Sequence, residues 1–245
     1  MLKYKYLVCA LIYVGLCSID CYFSNVPMLN SIRQMGITED VIFLNMHNSG
    51  SNFCGIKEIL VADTIPVLLG IYYALDKEKT YILLRYKTRE KYNNSQIRII
   101  IVMAAIFSAV RQIVDYIFTV YSFNGATIKK YPFVLYSLME FVVIWIFFVA
   151  TGLFYKILRD CLQNELIALI GAFGVNFVQF FLIKFWLVKF WIPGLDVAAA
   201  YDFLEGNKSP VSCLGILAKN IVMAIVLYIA GIVTFAKRDI LRNEK

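Results

Sequence analysis

The sequence lacks the residues and motifs on which most soluble enzymes and zinc proteins depend. Only 17% of its residues are charged, where a soluble domain carries about 25%. It has one histidine, and no two of its six cysteines are spaced as C-x-x-C, which excludes the common zinc patterns. It contains neither a G-x-x-x-x-G-K-[ST] phosphate loop nor a G-x-S-x-G nucleophile elbow. We therefore expect no catalytic machinery, no cofactor and no metal site.

What the sequence has in excess is apolar surface. Hydrophobic residues make up 60% of the 245 positions, and the mean hydropathy is +0.70. A bilayer absorbs such an excess, and one spanning helix needs roughly 20 mainly apolar residues to cross a core of about 30 Å. The sequence predicts a single transmembrane domain, residues 1–245, with an all-α fold: a polytopic membrane helical bundle of six transmembrane helices. The predicted spans are about 7–23, 59–75, 99–121, 133–155, 166–185 and 211–235.

The positions of lysine and arginine predict the orientation of the bundle. Basic residues concentrate in the cytoplasmic loops of membrane proteins. With both termini inside, the cytoplasmic segments hold fifteen basic residues and the external segments hold seven. We therefore predict a multi-pass protein of the plasma membrane with both termini in the cytoplasm. The same placement explains the net charge of +7 without a nucleic-acid partner, because the basic residues lie beside anionic lipid head groups.

Two external segments differ in character. Residues 24–58 are rich in Asn, Ser and Gly, and we expect them to form a long polar loop. Residues 186–210 carry two tryptophans, which favour membrane interfaces, followed by a Pro-Gly break. We expect this second segment to lie on the outer leaflet or to dip into it. A disulfide between Cys54 and Cys213, both external in this topology, stays open.

The loop between the second and third predicted spans, residues 76–98, combines an apolar and a basic part. Its stretch "YILLRYKTREKY" (81–92) predicts a short amphipathic helix at the cytoplasmic membrane surface. One interpretation is a basic loop that only sets the topology. The other is a surface that binds a soluble partner, since the central apolar cluster needs something to pack against.

Four charged residues fall inside predicted spans, where ionisable groups usually face the bundle interior and pair. They are Asp63 in the second span, Arg111 and Asp115 in the third, and Glu140 in the fourth. The rise of a helix places them at similar depths in the outer half of the membrane. They form a candidate polar cluster, which would either line a substrate path or gate, or tie the helices together. Arg111 and Asp115 lie one turn apart and can pair on one helix face.

The arrangement resembles the type-2 ABC transporter permeases. The stretch at 81–92 is similar to the loop of small Gram-positive permeases associated with bacteriocin export or self-immunity, in which an LLR-Y-x-[ST]-R pattern follows the second span. The end "FAKRDIL" (235–241) is similar to their basic tail. The resemblance implies six spans, cytoplasmic termini, a cytoplasmic coupling helix and an external membrane-dipping segment between the last two spans.

The resemblance also implies partners. A separate ABC ATPase subunit would bind at the cytoplasmic face, and the chain would form a homodimer, or a heterodimer with another permease, in the lipid bilayer. The candidate ATPase-coupling residues are Arg85, Lys87, Arg89 and Glu90. Two other functions stay open. One is a non-enzymatic membrane scaffold or immunity protein that binds a partner without transport, and the other is an ion-coupled carrier that uses the intramembrane charges.

Overall fold

The computed structural model describes residues 2–48, 53–75, 88–162, 164–185 and 191–237, with only the backbone at 2, 3, 89 and 237. Within these ranges every regular element is a helix. The α-helices are α1 (Leu2–Gln34), α2 (Glu39–Met46), α3 (Thr64–Ala74), α4 (Arg89–Ser122), α5 (Gly125–Lys130), α6 (Phe133–Leu162), α7 (Glu165–Lys184), α8 (Pro193–Asp196), α9 (Ala199–Leu204) and α10 (Pro210–Lys237). A π-helix, Glu58–Ala62, lies before α3.

Five of these helices are long and apolar enough to cross a membrane. They are α1, α4, α6, α7 and α10, with candidate spans of 31, 33, 30, 20 and 27 residues. They cover five of the six predicted spans, except that α7 ends at Lys184, one residue early. The prediction of an all-helical bundle built from membrane-compatible helices is therefore confirmed.

The remaining predicted span, 59–75, has a different form. The π-helix Glu58–Ala62 leads into α3, which has only 11 residues. The wide π turn is visible in the hydrogen bond from the Asp63 N–H to the Glu58 carbonyl, 2.8 Å long. Pro66 falls in the first turn of α3, where a missing N–H costs little. The structure therefore has five long membrane-compatible helices, and a sixth span at 59–75 stays a prediction.

The bundle is organised around α6. In its most apolar stretch 67% of residues are buried, compared with 11% in α10. Helix α6 packs against α4, α7 and α10, while α1 and α3 pack against α4. The outward faces of α1, α7 and α10 remain apolar and exposed, as expected for surfaces that contact lipid.

Residues 24–58, predicted as a polar loop, are largely helical where the structure describes them. Helix α1 continues to Gln34, and Gly36, with φ of +71°, precedes the turn into α2. The polar composition of the segment conceals an apolar face, which packs into a second apolar cluster at this end of the bundle. This cluster contains Leu29, Ile42, Phe43, Met46, Phe123, Phe133 and Tyr136, among others.

Candidate functional site: a buried polar cluster

A buried ion pair between Arg111 of α4 and Asp63 stands at the centre of the candidate site. The Arg111 guanidinium donates to an Asp63 carboxylate oxygen and to the backbone carbonyl of Phe53. The hydroxyl of Tyr13, on α1, donates to the other Asp63 oxygen at 2.7 Å. The guanidinium carbon also lies 4.2 Å from the centre of the Phe53 ring. This ion pair therefore joins α1, the π-helix junction and α4.

Asp115, one turn further along α4, has a different set of neighbours. The Cys54 thiol donates to Asp115 Oδ1 over 3.4 Å. The Nε2 atom of His47 lies 3.8 Å from Asp115 Oδ2. Both Cys54 and His47 are buried, although each belongs to the segment between α1 and the π-helix. At the Ser122 end of α4, the cluster therefore includes residues that are distant from α4 in sequence.

The tautomer of His47 can be assigned from its hydrogen bonds. Burial lowers the pKa of this imidazole, so that the neutral form is favoured. Its Nδ1 lies 2.8 Å from the Phe43 carbonyl, which can only accept, so Nδ1 carries the proton. Its Nε2 then accepts from the Thr119 hydroxyl at 3.2 Å. The lone pair of Nε2 is therefore engaged by Thr119, and Asp115 Oδ2, 3.8 Å from Nε2, receives no hydrogen bond from it.

Glu140 of α6 completes the cluster. One ligand atom from each of Cys54, Asp115 and Glu140 lies within 4.8 Å of the other two. All three side chains are buried. Asp115 and Glu140 lie seven residues from the end of α4 and the start of α6, about 10 Å along each helix. The two carboxylates therefore face each other at the same depth.

Two carboxylate oxygens at this point have no hydrogen-bond partner in the described part of the chain. They are Asp115 Oδ2 and Glu140 Oε2. A buried ionised oxygen without a partner is costly, and such atoms are rare in folded proteins. Each therefore calls for a proton, an ion or a bound group.

The structure brings together the four charged residues singled out in the sequence: Asp63, Arg111, Asp115 and Glu140. The ion pair of Arg111 is made across helices with Asp63, not along α4 with Asp115. Sequence reasoning missed Tyr13, Cys54 and His47. Tyr13 had a signal, because Tyr13, Cys17 and Cys21 recur every four residues on one face of α1. Cys54 and His47 had none, since they lie in a segment that reads as polar.

A smaller polar network lies at the centre of the bundle. The amide of Asn176, on α7, donates to the hydroxyls of Thr64 at 3.1 Å and Thr151 at 3.0 Å. Gln179 donates to Asn176 and accepts from the Gly194 N–H at 3.0 Å. This network links α3, α6, α7 and α8 by interhelical hydrogen bonds.

The other end of the bundle also holds buried charge. Lys156 and Arg159, counted as part of a cytoplasmic loop in the topology prediction, lie inside α6 and are buried. Lys156 pairs with Asp160 one turn away at 2.7 Å. The helix therefore extends beyond the predicted end of its span at residue 155.

The candidate coupling residues lie at or before the start of α4. Arg85 and Lys87 fall outside the described residues, as does most of the predicted amphipathic helix. Arg89 is the first residue of α4, and Glu90 is exposed in its first turn. The side chain of Thr88 caps this helix by accepting from the Lys91 N–H.

The six cysteines are all free thiols. Cys54 belongs to the main apolar core, whereas Cys213 belongs to the cluster around α2. The disulfide between Cys54 and Cys213, which the sequence left undecided, is therefore not present in this structure.

Comparisons with models of known families, with curated proteins and with solved structures each give no match.

Proposed function

We propose that this chain is a membrane-spanning permease subunit of an ATP-driven, ABC-type exporter, for a bacteriocin-like peptide or for self-immunity. It would sit in the plasma membrane with six spans and both termini in the cytoplasm. The observation that supports this function most is the fold of the segment between α7 and α10. The type-2 ABC permeases that this chain resembles carry a membrane-dipping element between their last two spans.

The segment contains α8 and α9, which pack against the bundle. Helix α9 lies on α6 and α10, while α8 lies on α6 and α7. Ala199, Ala200 and Leu204 are buried by these contacts. A segment that projected into water would leave these residues exposed. The packing is therefore consistent with an element that re-enters the bundle.

Polar contacts tie α8 in place. Asp196 accepts from Trp191 Nε1 at 2.7 Å and from Lys219 at 3.0 Å. It also accepts from Asn220 at 2.8 Å, so α8 is bonded to α10. Gly194 allows the close approach, because a Cβ atom there would lie 2.6 Å from Leu60 Cδ2.

Helix α4 supplies a route for mechanical coupling. It runs without a break from Arg89 to Ser122. Arg111 lies 22 residues after Arg89, about 33 Å along the axis. Movement of an ATPase bound at Arg85, Lys87, Arg89 and Glu90 would therefore reach the buried polar cluster through one rigid helix. The ion pair of Arg111 with Asp63 would then act as a latch between helices.

The test is purification of the tagged chain from its native membrane, followed by identification of bound proteins and measurement of ATP hydrolysis. We expect an ABC ATPase and vanadate-sensitive hydrolysis in the eluate. Replacing Arg85 and Arg89 with Glu should remove both. The matched control, Lys57→Glu with Lys208→Glu, reverses two charges predicted to lie on the other face and should retain both.

The same experiment separates the alternatives. A bound peptide without an ATPase would contradict the permease function and favour a scaffold or immunity protein. The unpartnered oxygens of Asp115 and Glu140 favour an ion-coupled carrier as a second candidate. Uptake driven by a pH gradient and abolished by Asp115→Asn, without an ATPase, would establish that carrier and contradict the permease.

A further inference from the structure

Three buried side chains from separate segments place metal-ligand atoms around one point. Cys54 precedes the π-helix, Asp115 lies on α4 and Glu140 lies on α6. Their ligand atoms are within 4.8 Å of one another. The Cys54 Sγ to Asp115 Oδ1 distance is 3.4 Å, and two ligands of a tetrahedral zinc ion lie about 3.5 Å apart. Part of the spacing that an ion requires is therefore present.

The charge of the cluster is unbalanced. Arg111 is committed to Asp63 by a direct ion pair, which leaves Asp115 and Glu140 without a cation of their own. His47 Nε2 lies 3.8 Å from Asp115 Oδ2, beyond hydrogen-bond distance, and is bonded to the Thr119 hydroxyl instead. Two buried carboxylates facing each other repel, unless a proton or a cation lies between them. A divalent cation would neutralise both.

The unpartnered oxygens give an independent indication. Asp115 Oδ2 and Glu140 Oε2 are the carboxylate atoms for which no donor is found in the ranges that the structure covers. As whole residues, Asp115 and Glu140 are respectively 3% and 4% exposed, so bulk water does not satisfy these atoms. They offer free lone pairs beside a thiol.

We infer that Cys54, Asp115 and Glu140 bind a divalent transition metal ion of the zinc class, with the fourth position taken by water, or by His47 Nε2 once it releases the Thr119 hydroxyl. On binding, the Cys54 thiol would release its proton to solvent, and a thiolate ligand selects zinc over Mg²⁺ and Ca²⁺, which prefer oxygen ligands alone. The bond from His47 Nδ1 to the Phe43 carbonyl is the type of outer contact that orients zinc-binding histidines. The site would lock the segment before the π-helix onto α4 and α6, and it goes beyond any role in ATP-driven transport.

The experiment uses the full chain, purified in detergent from metal-depleted medium and titrated with Co²⁺. We expect a thiolate-to-cobalt charge-transfer absorption that Zn²⁺ abolishes by competition and Mg²⁺ does not. Cys54→Ser and the near-isosteric Glu140→Gln should each weaken Zn²⁺ binding by at least about tenfold. Cys213→Ser, a buried cysteine in the other apolar cluster, is the matched control and should bind as the wild type does.

Several results would overturn the inference. One is the absence of a thiolate band in the wild-type protein, a result that does not depend on the folding of any variant. Another is equal Zn²⁺ binding by the wild type and both ligand variants, which would assign the ion to adventitious surface sites. A third concerns the infrared band of a protonated carboxyl group in the metal-free protein, assigned to Glu140 because Glu140→Gln removes it. If this band persists when Zn²⁺ is added, Glu140 does not bind the ion.

Discussion

Among single side chains, Arg111 is a buried cation whose hydrogen bonds reach two separate segments of the chain. Its guanidinium is buried and bonded to Asp63 and to the Phe53 carbonyl. Burial of a charge is tolerated only when its partners replace water. The cluster therefore depends on each partner, and loss of one partner leaves the other charge uncompensated.

Replacing Asp63 with Ala should lower the free energy of unfolding by about 3–5 kcal/mol, because Arg111 then remains buried without its carboxylate. The double replacement Asp63→Leu with Arg111→Met should cost less than the sum of the single replacements. Thermal unfolding in detergent measures both. Asp40→Ala breaks the exposed pair with Lys130 and serves as the control, with little expected change. If Asp63→Ala and Asp40→Ala lower the free energy of unfolding equally, burial does not make the Asp63–Arg111 pair more important than the exposed pair.

Close packing at Gly152 gives a second prediction for a single residue. A Cβ atom there would lie 2.5 Å from Ile100 Cγ2 and 2.9 Å from Ile71 Cδ1. Gly152→Val should therefore destabilise the junction of α3, α4 and α6 by about 1–3 kcal/mol, measured by thermal unfolding. Gly15→Val is the control, because no atom lies within 4 Å of a Cβ built on Gly15 in α1. If both variants unfold at the wild-type temperature, α3, α4 and α6 do not pack closely at Gly152.

Among the helices, the π-helix Glu58–Ala62 determines where Asp63 points. A π turn contains one residue more than an α turn, so it rotates the residues after the turn relative to those before it. The junction places Asp63 against Tyr13 and Arg111 on one side and Thr64 against Asn176 on the other. Such turns are frequent at functional sites, and this one lies beside the polar cluster.

Deletion of Val61 should convert the π turn to an α turn and rotate Asp63 away from Arg111. The expected loss is the same about 3–5 kcal/mol as for removal of the carboxylate. Adding Asp63→Ala to the deletion should then cause little further loss in thermal unfolding. Deletion of Asn207, in the exposed turn after α9, is the control for a one-residue deletion. Additive losses of the deletion and Asp63→Ala would show that the π turn does not orient Asp63.

Helices α2 and α5 are joined by Glu39. Burial raises the pKa of Glu39, but the hydrogen bonds from Asn124 and Thr127 together outweigh burial and hold this pKa below its ordinary value. A lowered pKa in the folded state stabilises the contact above the ordinary carboxyl pKa. This stabilisation is lost as the pH falls through the lowered value.

The protection factors of the α2 amides, which correct for the slower intrinsic exchange at lower pH, should therefore fall more than those of the rest of the bundle as the pH falls through the lowered pKa of Glu39. Glu39→Gln should exchange faster at neutral pH and should lose the extra pH dependence. Glu90→Gln, at the opposite end of α4, is the matched control and should leave α2 unchanged. A pH dependence that persists in Glu39→Gln would assign it to another group.

For the bundle as a whole, the orientation in the membrane is the property on which the proposed function depends. Glu90 and Asn124 are both exposed and lie at opposite ends of α4. Helix α4 has 34 residues and is about 50 Å long, more than the hydrocarbon thickness. The two positions must therefore lie on opposite sides of the bilayer if α4 crosses it.

In a Cys161→Ser background, which removes the exposed native thiol, a membrane-impermeant maleimide should label Asn124→Cys in intact cells. It should label Glu90→Cys only after permeabilisation, because the basic loop before α4 is predicted to be cytoplasmic. The unsubstituted background measures labelling of the remaining cysteines. Reversed labelling would place the candidate coupling residues outside the cell and rule out the permease function.

The sequence predicted the five long helices because a run of about 20 apolar residues is a local property. It predicted α3 less well, because Asp63 and Pro66 interrupt the apolar run. The partners that make a buried Asp63 possible lie on other helices. It missed the folded layer made by α2, because the apolar face of "VIF" is short and lies among polar residues. Local composition does not reveal which neighbour will cover such a face.

The apolar composition of the chain determines that this is a helical bundle suited to a bilayer, because the solvation of each segment depends on its own residues. Tertiary structure alone decided that Arg111 pairs with Asp63 instead of Asp115, and that Cys54 and His47 join the cluster. The physical reason is that a buried charge takes whichever partner the packing of separate helices brings within reach, and sequence distance does not limit that choice.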